Sequence, residues 1–530
     1  MENKMAQLLS GDETVAAAAL DAGITLGTGY PGTPSTEVLE ELERLGGPAQ
    51  WAPNEKVALE VGIGTALAGG RALVTMKHVG LNVAADPLFT VAYMDVPGAL
   101  VILSADDPGM ASSQNEQDNR RYAVAAGIPM LEPSDSQEAY EFTLRAIEIA
   151  ECWHVPVLLR MTTRVCHSKT IMNRAGVSLP SPRVPEYVRN VSGRVMIPAY
   201  ARQAHRKLRE KIAKIAQWNE NSGPTQLISR SPSLGIITSG ISYQHVREAA
   251  PEASVLKLGM TNPLPVEAIR RFVGTVERCI VVEEGDPYLF ESISAAGIKV
   301  EDKPSMYRFG ELNVKRVQRI LSGDCSAEAA PVPGKPPALC PGCPHRIVFT
   351  ALKNLNCIVS GDIGCYGLGV LSPFEAVDTS VCMGASIGVG LGLRHALPEA
   401  DAKRVVSVIG DSTFIHSGMT GIAEMVYNPP PTGHVVLLLD NGTTAMTGMQ
   451  EHPGTGRSLD HHKTGKVVLE DLIKAMGVRN VHIVDATLDP SGYEALVKKS
   501  LEKPELSVII NRRACLLAAK SIKEYETCNE

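Results

Sequence analysis

The sequence predicts an α/β protein of several doubly wound parallel-sheet domains, and three observations predict it. Short apolar runs alternate with helical patterns along most of the chain, as in βαβ units whose strands are buried on both faces. Aromatic residues make up only 5% of the sequence, while 47 glycines and 35 prolines punctuate it. That composition suits Ala/Gly/Val-rich layers joined by tight turns better than a β-sandwich. At 530 residues the chain is also too long for one core, and about 100–200 residues per domain divides it into roughly three or four.

Residues 1–185 read as the first α/β domain. "ETVAAAALDAG" is a helical pattern ahead of the apolar run in "ITLGTGYPGTP", and "KVALEVGIGTALAGG" stands in the same way ahead of "ALVTMKH". "GALVILSA" then enters a polar loop as a strand. Residues 186–232, rich in Arg, Lys, Asn, Ser and Pro, break the alternation and read as a helical linker. A second α/β unit spans 233–311 through "SLGIITSG", "SVLKLGM" and "CIVVEEG". The Pro-rich stretch within 312–339 marks a joint, and 340–520 form a third α/β unit with strands in "CIVSGDIGC", "VVSVIGDSTF", "HVVLLLDNGTT" and "LSVIINRRAC". No repeat recurs at the 20–50-residue period of a solenoid.

Charge and hydropathy exclude several function classes. The net charge is −7 with no long basic run, so neither nucleic acid nor an anionic membrane surface is an expected partner. No apolar stretch has the length of a membrane span, and the first residues lack a signal-peptide core, which leads to the expectation of a cytoplasmic enzyme. Eleven cysteines are then unusual, because disulfides are disfavoured in that compartment. Cys152, Cys166 and Cys279 are scattered and read as small buried hydrophobes. Others are left for metal or chemistry.

The strongest local signal is Gly410-Asp411-Ser412, which follows the apolar run Val405–Ile409. Asp440-Asn441 ends a second run, Val435–Leu439. Gly-Asp-Ser alone is ordinary turn chemistry. Two strand ends carrying Asp and Asn can do more, since a diphosphate held through Mg²⁺ needs hard oxygen ligands, and the carboxyl edge of a parallel sheet is where such folds bind ligands. Gly410 is expected to let the backbone approach phosphate, and a helix beginning near Phe414 to offer its N-terminal N–H groups. Cys340-Pro-Gly-Cys343, taken alone, is compatible with zinc, redox chemistry or neither.

"GDSTFIHSGMTGIAEMVYN" with "LLLDNGTTAMTGMQEHPGTG" resembles the diphosphate domain of indolepyruvate:ferredoxin oxidoreductase large subunits. The resemblance runs in family order through "TGYPGTPSTEV", "NEKVALEVGIGTALAGGRALVTMKHVGLNVAADPL", "DDPGMASSQNEQDNRRYA", "LKLGMTNPLP", "CPGCPHR" and "GDIGCYGLG", covering about residues 8 to 516. It implies a pyrimidine-type thiamine-diphosphate domain at 1–185, a transketolase C-terminal-like domain at 233–311 and a diphosphate-type domain at 340–520. The implied reaction is oxidative decarboxylation of an aryl 2-oxo acid to an acyl-coenzyme A, with electrons passing through iron–sulfur centres to ferredoxin or a similar acceptor.

The resemblance also implies site residues. Asp411 and Asn441, with the Thr443 carbonyl, become the Mg²⁺ ligands, and Gly410 and Ser412 line the cofactor. Glu55 becomes the glutamate that shares a proton with the cofactor's pyrimidine ring; its bland reading is an exposed charge favoured by a helix dipole. Thr33 corresponds to a substrate-contacting threonine, although the hydroxyls of "YPGTPST" suit helix capping at Ser35 or Thr36 ahead of a helix starting near Glu37. Arg120 matches the arginine that holds the substrate carboxylate, with the adjacent Arg121 as the other candidate and a solvated charge as the plain alternative for either. His78 and Asn82 fall near the reacting end of the cofactor. Cys340, Cys343, Cys365 and Cys515, with Cys515 closing a strand, match in order the ligands of a [4Fe–4S] cluster, with zinc as the rival metal.

The resemblance further implies a small β subunit, commonly in an α₂β₂ assembly. One departure stands out: the family's large subunit usually continues into a ferredoxin-like domain with two CxxCxxCxxxCP runs. This sequence stops at "KSIKEYETCNE", with Cys528 isolated, either because the domain is lacking or because the sequence is truncated. Onward electron transfer is then expected to need a separate subunit. The rivals are a non-oxidative thiamine-dependent decarboxylase or carboligase and a non-catalytic scaffold, the latter disfavoured by intact Glu55, Asp411 and Asn441.

Overall fold

A computed structural model describes residues 6–174, 181–182, 184–329 and 337–528. Part of the expected Pro-rich joint, residues 330–336, lies outside the described residues, as does the side chain of Cys528. The chain forms two compact units, Met1–Ala329 and Ala330–Glu530.

The first unit holds a seven-stranded sheet in the order Met260–Asn262, Met130–Leu131, Val157–Thr162, Ala99–Asp106, Arg71–Lys77, Leu26–Gly29, Ala49–Trp51. All neighbours are parallel except the edge strand Met260–Asn262, which runs antiparallel to Met130–Leu131. The inner strands Arg71–Lys77 and Ala99–Asp106 are buried at every position, which explains why they are continuous apolar runs rather than alternating ones. The helix Gly11–Asp21 opens on a capping box between Ser10 and Glu13 and buries its alanine run, so a stretch with little amphipathic contrast is helical because it is enclosed.

A four-stranded sheet in the same unit has the order Cys279–Val282, Ser231–Thr238, Ala253–Leu258, Thr225–Ile228, with the last strand antiparallel. The 25-residue helix Pro198–Ser222 occupies most of 186–232. Because Met260–Asn262 directly follows a strand of the four-stranded sheet yet pairs into the seven-stranded one, the two α/β layers are stitched together by the chain itself.

The second unit is a five-stranded, all-parallel sheet in the order Ile358–Ser360, Val405–Gly410, His434–Asp440, Leu506–Arg512, Asn480–Val484. Its central strand divides its side chains between two cores. Val435, Leu437 and Leu439 join Val348, Phe349 and Val497 on one face, while Val436 and Leu438 join Ile387, Ile422 and Ile473 on the other. The period of two along a strand that is apolar throughout makes this sheet doubly wound.

Three expectations need correction here. Cys166 and Cys279 are buried, but Cys152 is exposed on the last turn of the helix Ser136–Trp153. Cys515 lies in the loop beyond the strand Leu506–Arg512 instead of ending it. The helix expected near Phe414 begins at Asp411, and its second turn, Phe414–Gly418, is wound as a π-helix before α-helix resumes at Met419–Tyr427.

His434, at the head of the central strand, is fully buried, with its Nε2 2.8 Å from Ser407 Oγ. Burial, with Arg394 nearby, pushes its imidazole down to about 3. The unfolded chain takes up this proton near its ordinary value of about 6.5, whereas the native protein does not until far lower pH. The unfolded state therefore binds more protons in that window, and stability falls on acidification between the two values. Thermal melts of the wild type should show a steeper loss of Tm between pH 6.5 and 4 than melts of His434→Gln; equal slopes would exclude His434 as a source.

Candidate active site

In the first unit the carboxyl edge of the seven-stranded sheet gathers most of the predicted residues. Thr33 follows the strand Leu26–Gly29, Glu55 follows Ala49–Trp51, His78 follows Arg71–Lys77 and Arg120 comes after Ala99–Asp106. Glu55 is the first residue of the helix Glu55–Leu67, whose cap is Asn54 with its side chain accepting from the Val57 N–H. It is 4% exposed, so it is not the solvated dipole-stabilised charge of the bland reading. Gly80 makes room for it: a Cβ there would fall 2.6 Å from the Glu55 carboxyl group.

His78 is fully buried. Its Nε2 lies 3.2 Å from the Asn115 carbonyl, and Nδ1 has no hydrogen-bond partner among the described residues. Burial and the neighbouring Lys77 hold the imidazole below its usual range, so it is neutral at physiological pH. Asn82 exchanges hydrogen bonds with Gln117 and accepts from the Tyr122 hydroxyl. Thr33 is half-buried, and its neighbours are not the expected caps. Ser35 donates to the Gly32 carbonyl and Thr36 Oγ1 accepts the Gly32 N–H, so both hydroxyls brace the loop and neither caps the helix Thr36–Arg44.

Arg120 is set against the expected carboxylate-binding role. It is 1% exposed and pairs with Asp118 at 2.5 Å and Glu283 at 2.6 Å. It also donates to the Glu284 and Asp286 carbonyls and lies over the Tyr288 ring. A guanidinium held by two protein carboxylates has neither the access nor the uncompensated charge that capture of a substrate carboxylate needs. Arg121 is exposed and pairs with Glu291.

In the second unit Asp411 is buried at the carboxyl edge, at the end of Val405–Gly410. Its Oδ1 accepts from the Ser412 N–H and its Oδ2 from the Gly442 N–H, each at 2.9 Å. His452 Nε2 is 3.3 Å from Oδ2. Burial opposes ionisation, but His452 and these N–H groups outweigh it and hold the carboxyl below its ordinary range. Asp440, half-buried, is pushed up by desolvation and by the Asp411 charge beside it, and pairs with Arg512. Asn441 is buried, its Oδ1 accepting from the Thr443 N–H, and Thr444 donates to Ser412 Oγ. The two strand-end loops thus meet at Asp411. The room at Gly410, expected for phosphate, is filled by the Tyr366 ring, whose Cε1 would lie 2.6 Å from a Cβ there.

Sequence reasoning missed several polar residues around this edge. Asp362 in "GDIGC" accepts from the Gly384 and Ser386 N–H groups and so ties that loop to the helix Ala385–Ala396. His345, two residues after Cys343, is driven by burial down to about 4, with Asp411 close enough to oppose the shift. The only signal for His345 and His452 is their place inside the quoted motifs, "CPGCPHR" and "MQEHPGTG".

The four cysteines converge. Cys340 and Cys343 form a turn closed by the Cys343 N–H to the Cys340 carbonyl, with Gly342 at φ +77° and Leu516 against it. Burial, then Cys515, Cys343 and Cys340 in that order, push the Cys365 thiol up to about 11. Cys343 is raised by burial and by Cys340 and Cys515. The Cys343 and Cys365 thiolates are therefore opposed by burial and by the neighbouring cysteines, and cationic iron would reverse that penalty. Among the described residues no three of these sulfurs lie within 4.8 Å of one another. One tetrahedral zinc needs sulfurs about 3.8 Å apart, given Zn–S of about 2.3 Å, closer than these four stand as a set. The Cys515 N–H donates to the Asn441 carbonyl at 3.0 Å, joining the thiol group to the Asp411 loops.

Residues 17–200 match the family described as pyruvate flavodoxin/ferredoxin oxidoreductase, thiamine diphosphate-binding. Residues 362–510 match the C-terminal TPP-binding domain of thiamine pyrophosphate enzymes. The chain is 38% identical to the indolepyruvate oxidoreductase subunit IorA of Archaeoglobus fulgidus, over 96% of this chain and 86% of the relative. The IorA subunit of Pyrococcus abyssi is also 38% identical with the same coverage. The 2-oxoglutarate synthase subunit KorA of Methanothermobacter thermautotrophicus is 24% identical over 59% of this chain. A 2-oxoglutarate:ferredoxin oxidoreductase from Magnetococcus marinus, solved with 2-oxoglutarate, coenzyme A and succinyl-CoA, shares the fold. Its TM-score is 0.51 at 19% identity, over 61% of this chain and 66% of that one. No helix among the described residues is long and apolar enough to cross a membrane.

Arg120 separates a packing role from a substrate role. Arg120→Met should cost about 3–5 kcal/mol, the usual loss when one partner of a buried ion pair is removed. Urea unfolding should report the loss directly. A variant of unchanged stability with a raised KM for the 2-oxo acid would restore the substrate role.

Proposed function

The chain belongs to the indolepyruvate oxidoreductase IorA family of thiamine-diphosphate-dependent 2-oxoacid:ferredoxin oxidoreductases, and on that premise we propose that it oxidatively decarboxylates an aryl 2-oxo acid to its acyl-coenzyme A. The observation that carries the reading is the junction in the second unit: Cys515, one of four converging cysteines, is hydrogen-bonded to Asn441, in the loop held by Asp411. On this reading the redox centre and the diphosphate site would share one sheet edge, at the ends of Val405–Gly410, His434–Asp440 and Leu506–Arg512. The non-oxidative alternative gives no reason for the thiols to gather there.

Asp411 and Asn441, with the Thr443 carbonyl, would hold the Mg²⁺ of the cofactor. The fit is a buried carboxylate kept ionised at a sheet edge, beside an amide oxygen that has a second lone pair to offer. Thiamine diphosphate, when bound, supplies an acidic ring carbon that adds to 2-oxo carbons and an electron sink for decarboxylation. Glu55 would share a proton with the cofactor's pyrimidine nitrogen, and Gly80 leaves the room that its carboxyl group occupies. Thr33 offers a hydroxyl donor toward the substrate's oxygen atoms, and His78, with Nδ1 unpartnered among the described residues, stands at the same sheet edge. Cys340, Cys343, Cys365 and Cys515 would hold a [4Fe–4S] cluster as first electron acceptor. A small partner subunit completes the enzyme, and ferredoxin or another electron-transfer protein takes the electrons onward.

Glu55→Gln should bind thiamine diphosphate normally yet lose most C2–H exchange in deuterated water, because a neutral amide cannot pass the proton. Near wild-type exchange would remove Glu55 from the mechanism. Asp411→Ala should lose cofactor retention while its far-UV spectrum stays native.

Anaerobically purified protein should carry roughly four iron and four sulfide per chain at this Cys₄ set. Cys515→Ser should lose the cluster's reducible signal. Colourless, iron-free protein would favour the non-oxidative alternative.

A further inference from the structure

A second cluster of ligating side chains lies in the first unit, and no step of the reaction uses it. Asp12 is in the first turn of Gly11–Asp21, Glu37 is in the first turn of Thr36–Arg44, and His167 ends the short helix Thr163–His167. One oxygen of each carboxylate and one imidazole nitrogen lie within 4.8 Å of one another. Residues so far apart in sequence meet only through the tertiary fold.

Asp12 is what distinguishes this group from an ordinary surface cluster. It is 0% exposed, and neither carboxylate oxygen has a hydrogen-bond partner among the described residues. The buried Cys166 thiol is next to it but makes no well-formed hydrogen bond. A carboxyl group enclosed without a partner is expensive, and native structures contain few of them. The surroundings do not compensate for it. Lys169 is engaged by Glu13 at 3.0 Å, and His167 approaches Glu37 no closer than 4.0 Å. Two carboxylates are thus left facing one imidazole.

We propose that Asp12, Glu37 and His167 bind a divalent first-row transition ion such as Zn²⁺, Mn²⁺ or Fe²⁺. One imidazole with two carboxylates is a borderline donor set, which suits these ions better than Mg²⁺ or Ca²⁺, whose sites are built of oxygen. Glu37 and His167 are exposed, so their side chains can swing onto an ion held by the fixed Asp12, and water completes its coordination. The ion clamps three helices. It also fixes the start of Thr36–Arg44, where Thr36 braces Gly32 in the loop that carries Thr33. This role is structural and separate from both the Mg²⁺ and the cysteine sites.

The test uses the full-length protein, stripped with a chelator and supplied with thiamine diphosphate and excess Mg²⁺. Co²⁺ is titrated into the wild type and into Glu37→Gln and His167→Gln, which alter exposed side chains and leave the fold intact. The wild type should take up one equivalent more than either variant. The difference spectrum should show visible d–d bands without a thiolate charge-transfer band, and Zn²⁺ should displace the extra ion. Saturating Zn²⁺ should raise the Tm of the wild type more than that of either variant, since a ligand bound only by the native state stabilises it. Equal Co²⁺ uptake by all three proteins overturns the site. A thiolate band in the difference spectrum overturns the donor set.

Discussion

The ligand-binding edge of the second unit depends on one buried carboxylate. Asp411 terminates a strand, begins a helix and accepts hydrogen bonds from two loops at once. An ionised group at such depth is tolerable only where donors surround it, and here the Ser412 and Gly442 N–H groups supply them, with the His452 ring 3.3 Å away. Because the Gly442 N–H is one of those donors, the ends of Val405–Gly410 and His434–Asp440 cannot drift apart without stranding the charge. The carboxylate fixes the spacing of the edge where oxygen ligands are wanted. The π-wound turn at Phe414–Gly418 comes directly after, a local departure from α-helix of a kind that concentrates at functional sites.

From that edge the constraint spreads to the cysteines. Asn441 follows the central strand, and its carbonyl holds the Cys515 N–H. Leu516 then packs on the Gly342 turn, bringing the first and last segments of the unit together. Asp362 fixes the loop of Cys365 from the other side by accepting from Gly384 and Ser386. No single stretch of sequence builds this arrangement. The thiols are delivered by three separate segments, the Cys340–Cys343 turn, the loop of Cys365 and the stretch after Leu506–Arg512, and the parallel sheet lets those segments meet on one edge.

The strands and their order of appearance were legible in the sequence because strands buried on both faces are written as unbroken apolar runs. Asp411 and Asn441 were legible because chemistry sits where those runs stop. What stayed hidden is set by contacts between residues far apart. The glycine at 410 reads as room for a ligand, and only the fold shows the Tyr366 ring occupying it. Arg120 reads as free because Glu283, its buried partner, is more than 160 positions away. The hydroxyls of Ser35 and Thr36 read as caps, and the conformation of the loop turns them toward Gly32. Local signals locate an edge, whereas long-range pairing decides which groups there remain available.

Arg120 shows how the first unit is held together. Arg160, on the strand Val157–Thr162, pairs with Asp106 and Glu132, and Arg120 pairs with Asp118 and with Glu283 at the end of the four-stranded sheet's strand Cys279–Val282. Thr261 of the antiparallel edge strand donates to Glu132. The charged network therefore follows the same route as the strand that crosses between the two sheets. Buried ion pairs add little net stability over apolar packing of the same shape, but breaking one strands the other charge. Their effect is selective: an apolar seam could slide, whereas these carboxylates and guanidinium groups meet their partners in one register. That register fixes the loop between Asp107 and Asn119, from which Asn115 reaches His78 and Ser112 reaches Lys77. The arginine acts on the candidate site at one remove, through the backbone that it anchors.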